Sequence, residues 1–183
     1  EIICVNDGST DNTAEILQEY ASKDNRIKII TQKNQGTLVS RKRGMEYASG
    51  EYCMFLDQDD FYELYACQEL YQWIEQQKVD MVDCRYNIIE QDNTVHNWSL
   101  SSLAYQKLNS LEALEKIVDN RSNFHSVIYI WKKILSHTLY KKVASHIPIK
   151  HMISNEDIFI GTLCFYFAKT FYAVDNIYYN HYV

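Results

Sequence analysis

Glu1-Ile2-Ile3-Cys4-Val5-Asn6-Asp7-Gly8-Ser9 carries an apolar run that stops at an acidic, glycine-containing turn. A short β-branched run broken by Asn, Asp and Gly reads as a buried strand entering a turn. The same arrangement returns at Tyr52 to Leu56, which ends in Asp57-Gln58-Asp59-Asp60. Between the two, Asn12 is placed to cap a helix, with Glu15 reaching back as the third helical residue. Ile16, Leu17, Tyr20 and Ala21 fall on one face of that helix. Ile27 to Ile30 reads as a second strand and Leu38 to Tyr47 as a second helix. Strands separated by helices of this length need crossovers. The pattern therefore predicts an α/β fold with a mainly parallel sheet and helices on both faces. Functional loops gather at the carboxyl ends of such strands, so both acidic turns belong on one edge of the sheet.

Beyond Asp60 the sequence predicts a helix over Tyr65 to Gln76 and a strand over Val79 to Tyr86. The polar stretch from Glu90 to Leu103 gives no clear assignment. Helices follow around Leu111 to Val118, capped by Asn109 with Glu112 three residues on, and around Ile130 to Leu139. A third acidic turn, Ser154-Asn155-Glu156-Asp157, leads into an apolar helix from Ile158 to Ala168. Two strands, Phe171 to Val174 and Ile177 to Tyr182, come last. The only proline is Pro148 and no repeat or low-complexity tract occurs, so 183 residues read as one domain. Within it, residues 1–60 form one half and 61–183 the other.

Eighteen basic against 24 acidic residues leave a net charge of −6, which opposes a nucleic-acid backbone and excludes that partner. Five widely spaced cysteines lie mostly in apolar runs, and no pair has metal-finger spacing. They read as buried thiols of a reducing compartment, which points to the cytoplasm. No apolar run approaches the roughly 20 residues of a membrane helix.

Adjacent carboxylates at a strand end repel one another, so Asp57, Asp59 and Asp60 call for a cation. Oxygen ligands suit Mg²⁺ or Mn²⁺. The alternative is a polar turn with capping aspartates.

Several blocks carry a resemblance to a known family. Val5-Asn6-Asp7-Gly8-Ser9-Thr10-Asp11-Asn12-Thr13 resembles the second-strand signature of family 2 glycosyltransferases, whose nucleotide-diphospho-sugar fold is called GT-A. Asn34-Gln35-Gly36, Arg41, Gly44, Ala48, Gly50-Glu51-Tyr52 and Phe55-Leu56-Asp57-Gln58-Asp59-Asp60 resemble the next blocks, in order and at the usual spacing. The likeness implies that Asp7 accepts from the ring N–H of the base, in a UDP-sugar, and that Arg41 lies near the base or diphosphate. Asp57-Gln58-Asp59 is similar to the family's DxD motif. Its first Asp approaches the ribose and Asp59 binds the metal bridging the diphosphate, with Asp60 as a third carboxylate at hand. Glu156-Asp157 resembles the ED motif, which makes Asp157 the general base of an inverting transfer. For Asp7 the competing reading is a turn-forming Asp before Gly8, and for Arg41 a solvated helix face. For Glu156 and Asp157 it is simple support of a helix N-terminus.

Trp131-Lys132-Lys133 and Tyr178-Tyr179-Asn180-His181 are similar to two further blocks, with Lys132 where relatives often carry Asn and His181 where they often carry Arg. Trp131 reads as core, and His181 stays outside the proposed site. The family begins with a βα unit of roughly 30 residues that has no counterpart here, and its strand would be central to the nucleotide half. The resemblance implies transfer of a sugar to a glycan or lipid-linked acceptor for a bacterial surface polysaccharide. A lipid-linked acceptor would bring peripheral association with the inner face of the membrane. Two rivals remain: a sugar-nucleotide pyrophosphorylase, which wants a glycine-rich phosphate loop, and a non-catalytic nucleotide-sugar-binding relic.

Overall fold

The computed structural model describes residues 1–98, 103–119, 128–149, 152 and 154–183. β1 (Ile2–Asn6), α1 (Thr13–Lys23), β2 (Ile27–Thr31), α2 (Thr37–Tyr47) and β3 (Tyr52–Met54) follow the predicted β-α-β-α-β order. β4 (Phe61–Tyr62), α3 (Ala66–Gln77), β5 (Met81–Ile89), β6 (Val95–Trp98), β7 (Lys107–Asn109) and α4 (Ser110–Asp119) come next. β8 (Lys133–Ser136), α5 (His137–His146), α6 (Glu156–Phe167) and β9 (Thr170–Tyr182) complete the described elements.

β1 and β2 pair in parallel as a two-stranded sheet. A second, seven-stranded sheet runs β3-β8-β5-β9-β4, with β6 on β5 and β7 on β9. Its longest pairing, β5 with β9, is parallel, while β3 with β8, β5 with β8 and β4 with β9 are antiparallel. The sheet is thus mixed, built on a parallel centre.

Alternation along β5 and β9 divides two cores. Val82, Cys84, Tyr172, Val174 and Tyr178 face α3, which buries Ala66, Leu70 and Ile74 at helical spacing. Met81, Tyr86, Phe171, Ala173 and Tyr179 face the opposite layer, where Leu139 and Val143 of α5 join Ile160, Cys164 and Phe165 of α6. Successive strand residues point to opposite faces, so a strand covered by helices on both sides reads as continuously apolar.

A groove of about 330 Å³ separates β1 from β3, lined by Ile3, Val5, Met45, Cys53 and Phe55, with Arg41 and Asp57 at its rim.

Three local expectations are corrected. Ile130 to Leu139 is not a helix: a turn leads into β8, and α5 starts only at His137. β8 is inserted between β3 and β5, so tertiary pairing overrides the local apolar pattern. The two final strands are one, β9, whose pairing with β5 shifts register beside Arg85. Asn12 makes no side-chain cap; the Thr13 N–H donates instead to Asp11 Oδ1 at 3.0 Å. The Asn109/Glu112 box is made reciprocally, each backbone N–H donating to the other's side chain at 3.0 Å. In the unassigned polar stretch β6 forms, and residues 99–102 lie outside the described ones.

Candidate active site

The turn after β1 is fixed by its own chemistry. Gly8 adopts φ +77°, and a Cβ there would lie 2.9 Å from the backbone nitrogen of Asn34, so glycine is required by both conformation and space. The Ser9 N–H donates to Asn6 Oδ1 at 2.9 Å. Asp7 Oδ1 accepts from Gln32 Nε2 at 2.7 Å and the Gln35 N–H at 2.9 Å, and Oδ2 accepts from the Gly36 N–H at 2.8 Å. Burial pushes the Asp7 carboxyl up, but these donors outweigh it and hold the group below its ordinary value. Asp7 thereby ties the end of β1 to the entrance of α2.

One turn into α2, Arg41 reaches across the groove mouth. Its Nη2 donates to both oxygens of Asp57 at 2.8 and 2.9 Å, and its Nη1 to Glu156 Oε1 at 3.2 Å. The guanidinium is nearly buried, with the Arg41 side chain 9% exposed. A planar fork shared by two carboxylates is the geometry that arginine holds and lysine does not. The second and third acidic turns, 99 residues apart from Asp57 to Glu156, are therefore brought together by a residue of the second helix.

The carboxylates of the 57–60 turn diverge. Asp59 is exposed and makes no hydrogen bond or ion pair with the described residues. The Asp60 carboxylate is fully buried. It accepts from the Tyr179 hydroxyl at 2.6 Å, the Tyr182 N–H at 2.9 Å and the His181 ring at 3.1 Å. Burial and this anionic neighbour push the Tyr179 hydroxyl far up. His181, left outside the sequence-derived set, is thus part of the turn's support; its position in the Tyr-rich block was the available signal. Trp131 is core as expected, 4% exposed. Its indole stacks on Tyr179 at 4.6 Å and on His181 at 5.3 Å, and its carbonyl accepts from the Tyr62 hydroxyl.

Asn155 precedes α6 at φ 60°, a left-handed turn that asparagine tolerates. Asp157 Oδ1 accepts from the Ile158 N–H at 2.8 Å, and its side chain stays partly exposed.

Beneath the site lies a charged node that the sequence did not disclose. Asp83 of β5 is fully buried and accepts from Lys132 Nζ at 2.8 Å and Lys133 Nζ at 3.1 Å, both lysines being equally buried. Burial drives the Lys133 ammonium down to about 8, against the attraction of Asp83. In the sequence these lysines gave only a family likeness, because their partner lies 49 and 50 residues away.

Among the described residues no three His, Cys, Asp or Glu side chains gather so as to hold a metal ion. Nor is any described helix long and apolar enough to cross a membrane.

The acidic turns lie at strand ends of an α/β fold whose mixed sheet has a helical layer on each face. The family model described as Glycosyl transferase family 2 matches residues 1–146, and the chain belongs to that family. It is 30% identical over 171 residues to EpsH of Bacillus subtilis (strain 168), covering 93% of this chain and 48% of that protein. It is 29% identical over 188 residues to the cholesterol galactosyltransferase of Borreliella burgdorferi, covering 100% of this chain and 51% of that one. The chain thus spans about half the length of these relatives. The crystal structure of S. aureus TarS 1-349 in complex with UDP-GlcNAc superposes with a TM-score of 0.78 at 21% identity, covering 100% of this chain and 49% of that one. At that identity the likeness establishes the fold.

Proposed function

We propose that the chain carries the donor-binding and catalytic region of an inverting glycosyltransferase. It would move a sugar from a UDP-sugar to a glycan or lipid-linked acceptor of a bacterial surface polysaccharide, at the cytoplasmic face of the membrane. The observation that carries this reading is the convergence on Arg41, which holds Asp57 and Glu156 in one cluster. Family membership and the UDP-GlcNAc complex of the TarS neighbour support the donor class.

In this reading Asp7, already anchoring the loop before α2, presents an acceptor to the base. Asp57 approaches the ribose, and Arg41 faces the nucleotide. Asp59 fits a divalent ion. Its oxygens have no partner among the described residues, and Mg²⁺ or Mn²⁺ commonly takes one or two carboxylates together with substrate phosphates. Asp60 stands behind it as the second carboxylate, with its orientation held by Tyr179 and His181. A bound ion would neutralise charge on the departing diphosphate.

Asp157 takes the proton of the acceptor hydroxyl. The hydroxyl oxygen bonds to the anomeric carbon from the face opposite the diphosphate, and the carbon–oxygen bond to the diphosphate breaks. Nucleoside diphosphate leaves, and the configuration inverts. Asp157→Asn in the full-length protein is expected to lower transfer by about 10²–10⁴-fold with donor binding intact. Asn is an equally good helix start, so near-normal transfer would assign the base elsewhere. Asp59→Asn is expected to weaken UDP-sugar binding to the level measured in chelator. Calorimetry that finds equal wild-type affinity with and without chelator removes the ion from the site.

A further inference from the structure

Tyr129 is half-buried between two residues that are not, Ile128 at 2% and Ile130 at 0% exposure. One face of its ring lies on the indole of Trp131, 5.1 Å between centroids and 17° from parallel. Tyr86 meets it edge-on at 6.4 Å. The hydroxyl makes no hydrogen bond with the described residues, although buried tyrosine hydroxyls normally find a partner. Burial raises its pKa, and the Asp157 carboxylate adds to that rise.

The backbone behind Tyr129 is clamped from both sides. The Tyr129 carbonyl accepts from Lys133 Nζ at 2.7 Å, and Asp83 holds that ammonium in turn. The preceding carbonyl, of Ile128, is pressed against α6 at Gly161, where an added Cβ would lie 1.6 Å from the Ile128 oxygen. Gly161 is one helical turn from Asp157, so both occupy one face of α6. The close approach that only glycine allows there sets the spacing between Asp157 and Tyr129. A tyrosine used as filler needs neither a clamped backbone nor an open hydroxyl.

We propose that Tyr129 is the acceptor-side wall of the site: a saccharide acceptor packs against the partly exposed Tyr129 side chain, on the side of α6 that carries Asp157 and Gly161. Gly161 and Lys133 are positioning residues for that wall. The proposal rests on the glycosyltransferase reading above, whose donor half can be tested separately.

Saturation-transfer NMR on the full-length protein, with methyl glycosides of glucose, galactose and N-acetylglucosamine at millimolar concentration and UDP present, distinguishes the two. Wild type is expected to transfer saturation to at least one glycoside. Tyr129→Leu, which keeps apolar bulk but no ring, is expected to reduce that signal by about tenfold. Tyr129→Phe retains part of it. Tyr166→Leu, on α6 and 76% exposed, leaves it unchanged. Gly161→Ala, which must displace the Ile128 carbonyl, is expected to reduce it as Tyr129→Leu does, with UDP signals retained. Equal glycoside signals in wild type and Tyr129→Leu, or no glycoside signal in a wild type that binds UDP, overturn the proposal and leave the donor reading standing. Loss of UDP signals from wild type overturns the donor reading instead.

Discussion

The β1-α1-β2 flank and the β5-β9 centre are both strand pairs in parallel register, yet they are finished to different degrees. α1 buries none of its residues, and Ile16 and Tyr20, which the helical spacing places on its apolar face, are 44% and 57% exposed. β5 and β9 are covered on both faces, and Met81, Val82, Cys84, Phe171, Ala173 and Val174 are fully buried. The difference teaches where cohesion resides. The centre buries apolar surface on two sides, whereas β1 and β2 form a separate two-stranded sheet that a groove divides from β3. The site straddles both regions, with Asp7 on the flank and Asp60 locked to β9.

The most damaging test of this contrast is Asp83→Ala. It leaves two ammoniums buried without their carboxylate, and is expected to cost about 3–5 kcal/mol in denaturant unfolding. A cost under about 1 kcal/mol would mean that water or another anion already serves the lysines.

A pH series sharpens the same point. The folded Lys133 pKa is depressed from 10.5 to about 8, so between those values the unfolded chain binds more protons than the folded one. Stability contributed by this group therefore rises with pH across that window. Wild type is expected to gain on Lys133→Met as pH increases from 8 towards 10. Cys84 and Cys164, whose thiols burial pushes up to about 12, oppose this trend in wild type, and comparison with the variant removes the part of their effect that burial alone sets. A constant difference between wild type and variant would show that Lys133 stays charged.

The smallest effect belongs to the flank. Tyr20→Ser on α1 is expected to change unfolding free energy by no more than about 0.5 kcal/mol, the range of ordinary surface substitutions. A cost above about 1.5 kcal/mol would show that the apolar face of α1 is covered in the full-length protein, and would erase the contrast.

The amino-acid sequence determined a good deal of this protein. Strand ends before Asp7 and Asp57, the helix over Tyr65 to Gln76 and the Asn109/Glu112 cap are local events, written in periodicity and in the chemistry of turn residues. The family blocks from Val5 to Asp60 likewise follow one another within a short stretch of chain. Only the tertiary structure decided which carboxylates are spoken for. Asp59 and Asp60 are neighbours of one residue type, yet one is free in solvent and the other buried against Tyr179 and His181. It also decided that Ile130 to Leu139 would yield β8, because a strand's stability comes from partners at Met81 to Asp83 and Tyr52 to Met54. Asp83 finds Lys132 and Lys133, and Arg41 finds Glu156, across 49 to 115 residues of chain. Charge pairing depends on distance in space, and no local pattern encodes which distant residue the fold will bring within hydrogen-bonding reach.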